Sequence, residues 1–348
     1  MNLLRTVPRG IGQWLFLLLR WAVILSFLMG GLLYMTNMPD SSYSNPFKIL
    51  SEDEQLLCER LKKHILILTE KIGERNIWHF NELEVSADYI EKFLSDMGYE
   101  VKKQYYKVRD KTVRNIEAEI VGTSQPGEIV VVGAHYDSVL GSKGANDNAS
   151  GVAAVLEIAR FLVRKKLSRT VRLVMFVNEE PPFFKTDDMG SRVYASRSRQ
   201  YGEQIVAMLA IETIGYYSDI IGSQQYPFPF SFFYPNTANF IGFIGNISSR
   251  HLVHKAIGIF RMYTEFPSEG LAAPGWMTGI GWSDHWSFWK EGYPAIMVTD
   301  TALFRYKYYH TQEDTPDKIE YAHMARVVAG ITRVVTELAG THQEILNK

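Results

Sequence analysis

The chain has 348 residues, 46% hydrophobic and 22% charged, with a formal net charge of −1, the composition of a folded globular protein with room for one large domain and an appendage. That balance leaves no basic excess to track phosphates, which argues against nucleic acid as the main partner. The single cysteine, Cys58, excludes an intrachain disulfide and a thiolate zinc cluster; it lies among Leu56, Leu57 and Leu61 in a helical pattern, the setting of an inert thiol rather than a nucleophile.

Arg5 and Arg9 precede Ile11 to Met38, which is apolar apart from Gln13, Arg20, Ser26, Thr36 and Asn37. The uninterrupted run Trp21 to Met35 falls short of the roughly 20 residues of a bilayer span, but Ile11 to Leu19 extends it across one arginine. Arg20 can snorkel to the interface. No small-x-small cleavage signal follows. The first reading is an uncleaved, single-pass signal-anchor over 1–39; a cleaved signal peptide is the second and a core helix the third. Arginines before the span and none directly after it predict a cytoplasmic N-terminus, with the main domain on the extracytoplasmic side, periplasmic or extracellular. Asp40 to Pro46 reads as a polar linker within 40–50, and 51–348 as the main domain.

Glu54 to Lys71 shows helical spacing through Leu57, Leu61, Ile65 and Leu68, and Gly73 stops it. Asn81 to Met97 repeats the pattern, with Gly98 placed as a C-cap. Val101 to Val108 and Val113 to Val121 read as strands, and Pro126-Gly127 as a turn. Ile129 to Gly133 is a buried strand delivering His135 and Asp137, and a helix over Ser150 to Lys166 follows. Thr170 to Val177 is a strand ending in Asn178-Glu179-Glu180, and Ile205 to Ile214 is another, containing Glu212. Residues 216–282, rich in Tyr, Phe, Pro and Gly, read as an aromatic insert, a packed subdomain or lid, with a strand Phe240 to Ile244 and a helix from Ser249 to about Met262. Ser283 to Trp289 looks like a helix start capped by Ser283. Pro294 to Thr299 is the last buried strand, His310 lies in a loop, and Glu320 to Leu346 is a closing helix. Alternating strands and helices imply an α/β fold: a mixed, mostly parallel sheet with helices on both faces.

Polar groups gather where these strands end: His135 and Asp137, Asp147 at a helix start, Glu179 and Glu180, Glu212, then His310. Buried strands do not end repeatedly in carboxylates and imidazoles unless a cation compensates them. Histidines and carboxylates without thiolate suit zinc. Five candidate ligands with one shared carboxylate suit two ions about 3.5–4 Å apart. Adjacent side chains on an extended segment diverge, so of Glu179 and Glu180 one can bind metal while the other stays free as a base.

The series GAHYDS, GANDNASG, VNEEP, LAIETIGYY, SDHWSFW and YYHTQEDTPDKI resembles metallopeptidase family twenty-eight, the co-catalytic zinc aminopeptidases and carboxypeptidases related to glutamate carboxypeptidase and the glutaminyl cyclases. The resemblance runs from about Ile116 to the C-terminus, in the right order, and several motifs in series are far more specific than one. It implies the zinc-peptidase fold and two zinc ions, with a peptide substrate. His135 would serve the first ion, Asp147 would bridge, Glu180 and His310 would serve the second, and Glu179 would be the general base. Glu212 stands where many members have aspartate, one methylene shorter, which puts metal spacing in question. Asp137 would fix the tautomer of His135, and Asp314 would act similarly near His310. Tyr309 would hydrogen-bond the oxyanion.

Each residue also has a plainer reading. His135 alone could be a satisfied core histidine, Asp147 a helix-start acid stabilised by the dipole, and Glu212 a solvated edge residue. Tyr309 could serve packing alone, and Asp284-His285 is more simply structural. The aromatic run Tyr226 to Tyr234 could wall an apolar subsite. The leading expectation is a membrane-anchored dizinc aminopeptidase. The alternatives are a single-zinc cyclase-like acyltransferase and a catalytically silent ectodomain.

Overall fold

The computed structural model describes residues 10–340. The chain divides into two compact units at Asn37/Met38. Arg5 and Arg9, and the expected helix end toward Leu346, lie outside the described residues.

The first unit carries α1 (Ile11–Thr36), long and apolar enough to cross a membrane. Its 26 residues extend about 39 Å, a length and composition that suit a membrane span or a signal sequence.

The second unit is built on α2 (Glu52–Leu66), α3 (Phe80–Asp96), α4 (Gly151–Leu162), α5 (Gly190–Gln200), α6 (Arg250–Tyr263), α7 (His285–Lys290) and α8 (Tyr321–Ala339). Its strands are β1 (Val101–Val108), β2 (Lys111–Ile120), β3 (Gln125–His135), β4 (Arg169–Phe176), β5 (Gln204–Ile211), β6 (Ile241–Asn246), β7 (Ser268–Ala273) and β8 (Ala295–Thr299). They form one sheet in the order β1-β2-β4-β3-β5-β8-β6-β7. The centre, β4-β3-β5-β8, is parallel. β1 and β2 are antiparallel additions at one side, and β6 runs antiparallel to β8 but parallel to β7. The mixed, mostly parallel α/β sheet matches the expectation.

The strands alternate their side chains between two cores. Val130, Val132 and Ala134 of β3 join a large core that includes residues of α2, α4, α6 and α8, whereas Ile129 and Val131 join a smaller one with Tyr194 of α5 and Phe288 of α7. α2 starts with a capping box, the Ser51 side chain accepting from Glu54 N–H and the Glu54 carboxylate from Ser51 N–H.

Several boundaries differ from expectation. Pro126-Gly127 is not a separate turn: β3 begins at Gln125, and the dipeptide falls within an irregularity of its register. Ser283 does not cap α7, whose first residue is His285; its hydroxyl is spent on Glu212. Within 216–282, β6 and β7 extend the main sheet and α6 packs on it. The expected linker lacks regular structure but is tied down: Arg261 donates to the carbonyls of Pro39 and Asp40, and Ser268 N–H donates to Ser42 Oγ.

Candidate metal centre

The parallel strands bring their C-terminal ends to one crevice, where ligands of open α/β sheets bind. β3 ends in His135, β4 leads into Glu179 and Glu180, and β5 into Glu212. Asp147 lies on the turn that enters α4, and His310 in the loop after β8, at a positive φ of 59°.

Asp147 stands between the two imidazoles. Its Oδ1 is 3.2 Å from His135 Nε2, and its Oδ2 is 3.1 Å from His310 Nε2. Glu212 Oε2 lies 3.0 Å from His135 Nε2, and Glu180 Oε2 lies 3.2 Å from His310 Nε2. Three groups bring their ligand atoms within 4.8 Å of one another: two triads sharing one carboxylate, His135–Asp147–Glu212 and Asp147–Glu180–His310, and a third, His135–Glu179–Glu180. Neighbouring donors on a tetrahedral zinc stand about 3.4 Å apart, given bonds of about 2.0–2.2 Å. Glu179 is set back, its Oε2 3.9 Å from His135 Nε2.

A cation fits this donor set. His135 Nε2, both oxygens of Asp147, Glu180 Oε1 and His310 Nε2 are buried without a hydrogen-bond partner, a costly arrangement that an ion relieves. The titration behaviour agrees. Burial, reinforced by Glu212, pushes Glu179 well above the usual carboxylate range. Burial and then Asp147 push Glu180 up to about 8, and burial raises Glu212. Burial opposes the charged form of His135, but Glu212 and Glu179 outweigh it and raise its pKa well above normal. His310 likewise rises to about 10 through Asp147 and Glu180, against burial. Burial would raise Asp147 too, yet the two imidazoles hold it well below the usual range. The crevice is a concentration of buried negative charge focused on two histidines.

The supporting residues act through the main chain more than expected. The closest contact of His135 Nδ1 is the Asp137 carbonyl, at 3.1 Å, with the Asp137 carboxylate further off at 3.5 Å. That carboxylate instead accepts from the N–H groups of Glu179 and Glu180, both at 3.2 Å, and so ties β3 to the Glu pair. The bonds of Asp314 go not to His310 but to the N–H groups of Asn146 (2.8 Å) and Asp147 (3.0 Å) and to Tyr306 Oη (2.7 Å). Tyr309 stacks on the His310 ring at 3.8 Å between centroids. Burial and the carboxylates Asp147 and Glu180 keep its hydroxyl protonated. Asp284 and His285 are buried beside the crevice and belong to neither triad; His285 Nε2 meets the Ile280 carbonyl.

Four contributors lie beyond the residues singled out from the sequence. Ser283 donates to Glu212 Oε2 at 2.9 Å. Asn148 Nδ2 reaches the Ile211 carbonyl and, at 3.3 Å, Glu212. Asp300 gathers Thr213 Oγ1, Asn146 Nδ2 and the N–H groups of Gly215 and Tyr216; it follows β8, so the strand-end rule that flagged the others would have found it. Arg75 is fully buried and donates to the carbonyls of Tyr136 (2.7 Å), Lys143 (2.5 Å) and Gly144 (3.0 Å), wrapping the loop between His135 and Asp147 around itself. Nothing in its local sequence marks it.

Beside Glu212 and Tyr309 opens an apolar cavity of about 110 Å³, walled by Tyr226, Phe230, Tyr234, Ile244, Leu271 and Met297 among others. Arg305 braces its wall, donating to Gln224 Oε1 and to the Phe240 carbonyl.

The family model described as Peptidase family M28 matches residues 115–335. The uncharacterized protein YfbL of Escherichia coli (strain K12) is 36% identical over 282 residues, covering 78% of this chain and 86% of that protein. Leucine aminopeptidase 1 of Arthroderma otae is 27% identical over 239 residues, covering 65% of this chain; the matched part is 58% of the relative's length. The fold is similar to a zinc aminopeptidase from Bacillus subtilis (TM-score 0.66, 15% identity, 82% of this chain and 96% of that one). It is also similar to the glutaminyl cyclase of Porphyromonas gingivalis (TM-score 0.59, 19% identity, 83% and 100%).

Proposed function

The chain belongs to Peptidase family M28, and from that premise we propose that it is a membrane-anchored, zinc-dependent exopeptidase, an aminopeptidase that releases the N-terminal residue of peptides. The observation that carries the reading is Asp147, whose two oxygens face two histidines within 3.2 Å. His135, Asp147 and Glu212 would hold one zinc ion, and Asp147, Glu180 and His310 a second. When bound, the ions supply positive charge that polarises a carbonyl and acidifies a water.

The chain's own residues do the rest. Glu179, set back from both triads, takes the proton of the attacking water and returns it to the leaving amine. Asp137 holds Glu179 by its main-chain N–H, so the base and His135 keep one spacing. Tyr309 hydrogen-bonds the developing oxyanion through its hydroxyl. The surrounding carboxylates accept the substrate's free ammonium group, which favours an N-terminal residue over an internal one. α1 holds the enzyme in the membrane, with the 51–348 domain on the extracytoplasmic side. Protease accessibility of that domain from the outer face tests this placement.

The enzymatic test is hydrolysis of aminoacyl anilides with metal counted in parallel. Glu179→Gln lowers turnover by about 10²–10⁴-fold while metal content stays at two ions per chain. Activity indifferent to chelator, or undiminished in Glu179→Gln, contradicts the reading. One ion per chain with cyclisation of N-terminal glutamine supports the cyclase alternative instead.

A further inference from the structure

Glu269 and Glu212 are the only charged residues among the described residues lining the apolar cavity. Strand register fixes how they face each other. Ile211 pairs with Val298, so Glu212 continues opposite Thr299; Thr299 pairs with Gly242, and Gly242 with Glu269. These four positions form a row across β5, β8, β6 and β7 and present their side chains to the same face. Three strand spacings separate the two glutamates, roughly 14 Å. Gly242 leaves the floor between them without a side chain. The next row on that face, Met297, Ile244 and Leu271, is apolar.

Two partners stand behind the carboxylate of Glu269, the Ser42 hydroxyl, which hydrogen-bonds it, and the Arg261 guanidinium. Arg261 stands behind it at 3.9 Å, beyond hydrogen-bond distance. The guanidinium's own bonds go to Ser268 and to the carbonyls of Pro39 and Asp40. The nearby tyrosines do not serve it either: Tyr226 Oη donates to the Pro235 carbonyl and Tyr234 Oη to that of Gly270. A largely buried carboxylate, partnered from behind, thus lines an apolar chamber whose other end is the metal centre.

We propose that this chamber receives the first side chain of the peptide and that Glu269 selects a long cationic one, lysine or arginine, over an unbranched aliphatic one. The inference rests on the exopeptidase reading for the position of the peptide. Lysine and arginine carry an apolar stem and a charged head, which match the chamber's walls and its far end. Such a side chain extends on the order of 6–7 Å from its Cα, and a hydrogen bond adds about 3 Å. Leucine, at roughly half that reach, stops short of Glu269 and gains nothing from its charge.

The test compares kcat/KM for arginine, lysine, norleucine and leucine anilides in the zinc-loaded protein and in Glu269→Gln. Calorimetry of arginine amide and norleucine amide runs alongside. We expect the arginine-to-norleucine ratio to be about tenfold or more in the natural protein and to fall toward one in Glu269→Gln. A natural protein that prefers norleucine or leucine, or a ratio that survives Glu269→Gln, overturns the inference while leaving the exopeptidase reading intact. If no anilide is cleaved, the exopeptidase reading fails and the amides decide. Tighter binding of arginine amide that is lost in Glu269→Gln sustains the selectivity; equal binding of the two amides overturns it.

Discussion

Replacing Arg75 by alanine removes the buried cation around which the loop from Tyr136 to Gly144 is wrapped. The guanidinium makes three short bonds to carbonyls, at 2.7, 2.5 and 3.0 Å, and is fully buried. Burial lowers its pKa to about 10, against the pull of Asp137, Asp314, Asp147 and Glu180, so it remains charged at neutral pH. Hydrogen bonds from a charged donor contribute about 1.5–3 kcal/mol each, and their sum is offset by the cost of holding the ion away from water. A net loss of about 3–5 kcal/mol follows, with three carbonyls and four carboxylates left uncompensated. At about 2.1 cal/mol/K per residue over roughly 300 residues, that lowers Tm by about 5–8 °C. Thermal unfolding of the metal-free protein, followed by tryptophan fluorescence, measures it. Arg75→Lys keeps the charge but lacks the planar fork that reaches several carbonyls at once, so it restores less than half of the loss. An Arg75→Ala protein that melts within about 1 °C of the natural one refutes the assignment of Arg75 as the loop's anchor.

Asp314→Ala leaves the N–H groups of Asn146 and Asp147 and the hydroxyl of Tyr306 without their acceptor. Metal affinity, measured by competition with a zinc-binding dye, is expected to fall about 10–100-fold, although Asp314 is not among the proposed ligands. Away from the site, burial pushes the Glu157 carboxyl up, but His64 and Arg160 outweigh burial and hold it below the usual carboxylate range. A depressed folded pKa contributes stability above the unfolded pKa and loses it as pH falls through the folded value. Glu157→Gln is therefore less stable than the natural chain at pH 7, and in urea titrations the gap closes as pH drops below about 4; a gap that does not change with pH contradicts this.

What the sequence reveals and what it hides follow from the physics of each element. β3 is legible because an unbroken Val-Val-Val run bounded by glycine has few places to go except a central strand. The candidate ligands are legible because charge at the end of such a strand demands compensation. α5 is hidden because its buried side is made of Gly190, Ser191, Tyr194, Ala195 and Ser198, small and polar residues that leave little apolar period. β7, Ser-Glu-Gly-Leu-Ala-Ala, lacks β-branched residues and is a strand only because β6 pairs with it. Asp137 and Asp314 are recognisable as polar residues near the site, but most of their partners are main-chain N–H groups, which no residue pattern displays. Ser283 carries the signature of a helix cap, and only the packing of the loop against β5 shows that its hydroxyl serves Glu212. The facing pair Glu212 and Glu269 depends on the register of four strands that are remote in sequence.

The central claim is that one carboxylate joins two ions, and counting metal tests it most directly. After loading with zinc and removal of excess, the natural protein should retain two ions per chain by mass spectrometry of the folded protein. Asp147→Ala should lose both ions, whereas His310→Ala should keep one. A natural protein that retains a single ion, or an Asp147→Ala protein that retains one as tightly as His310→Ala does, contradicts a bridging Asp147.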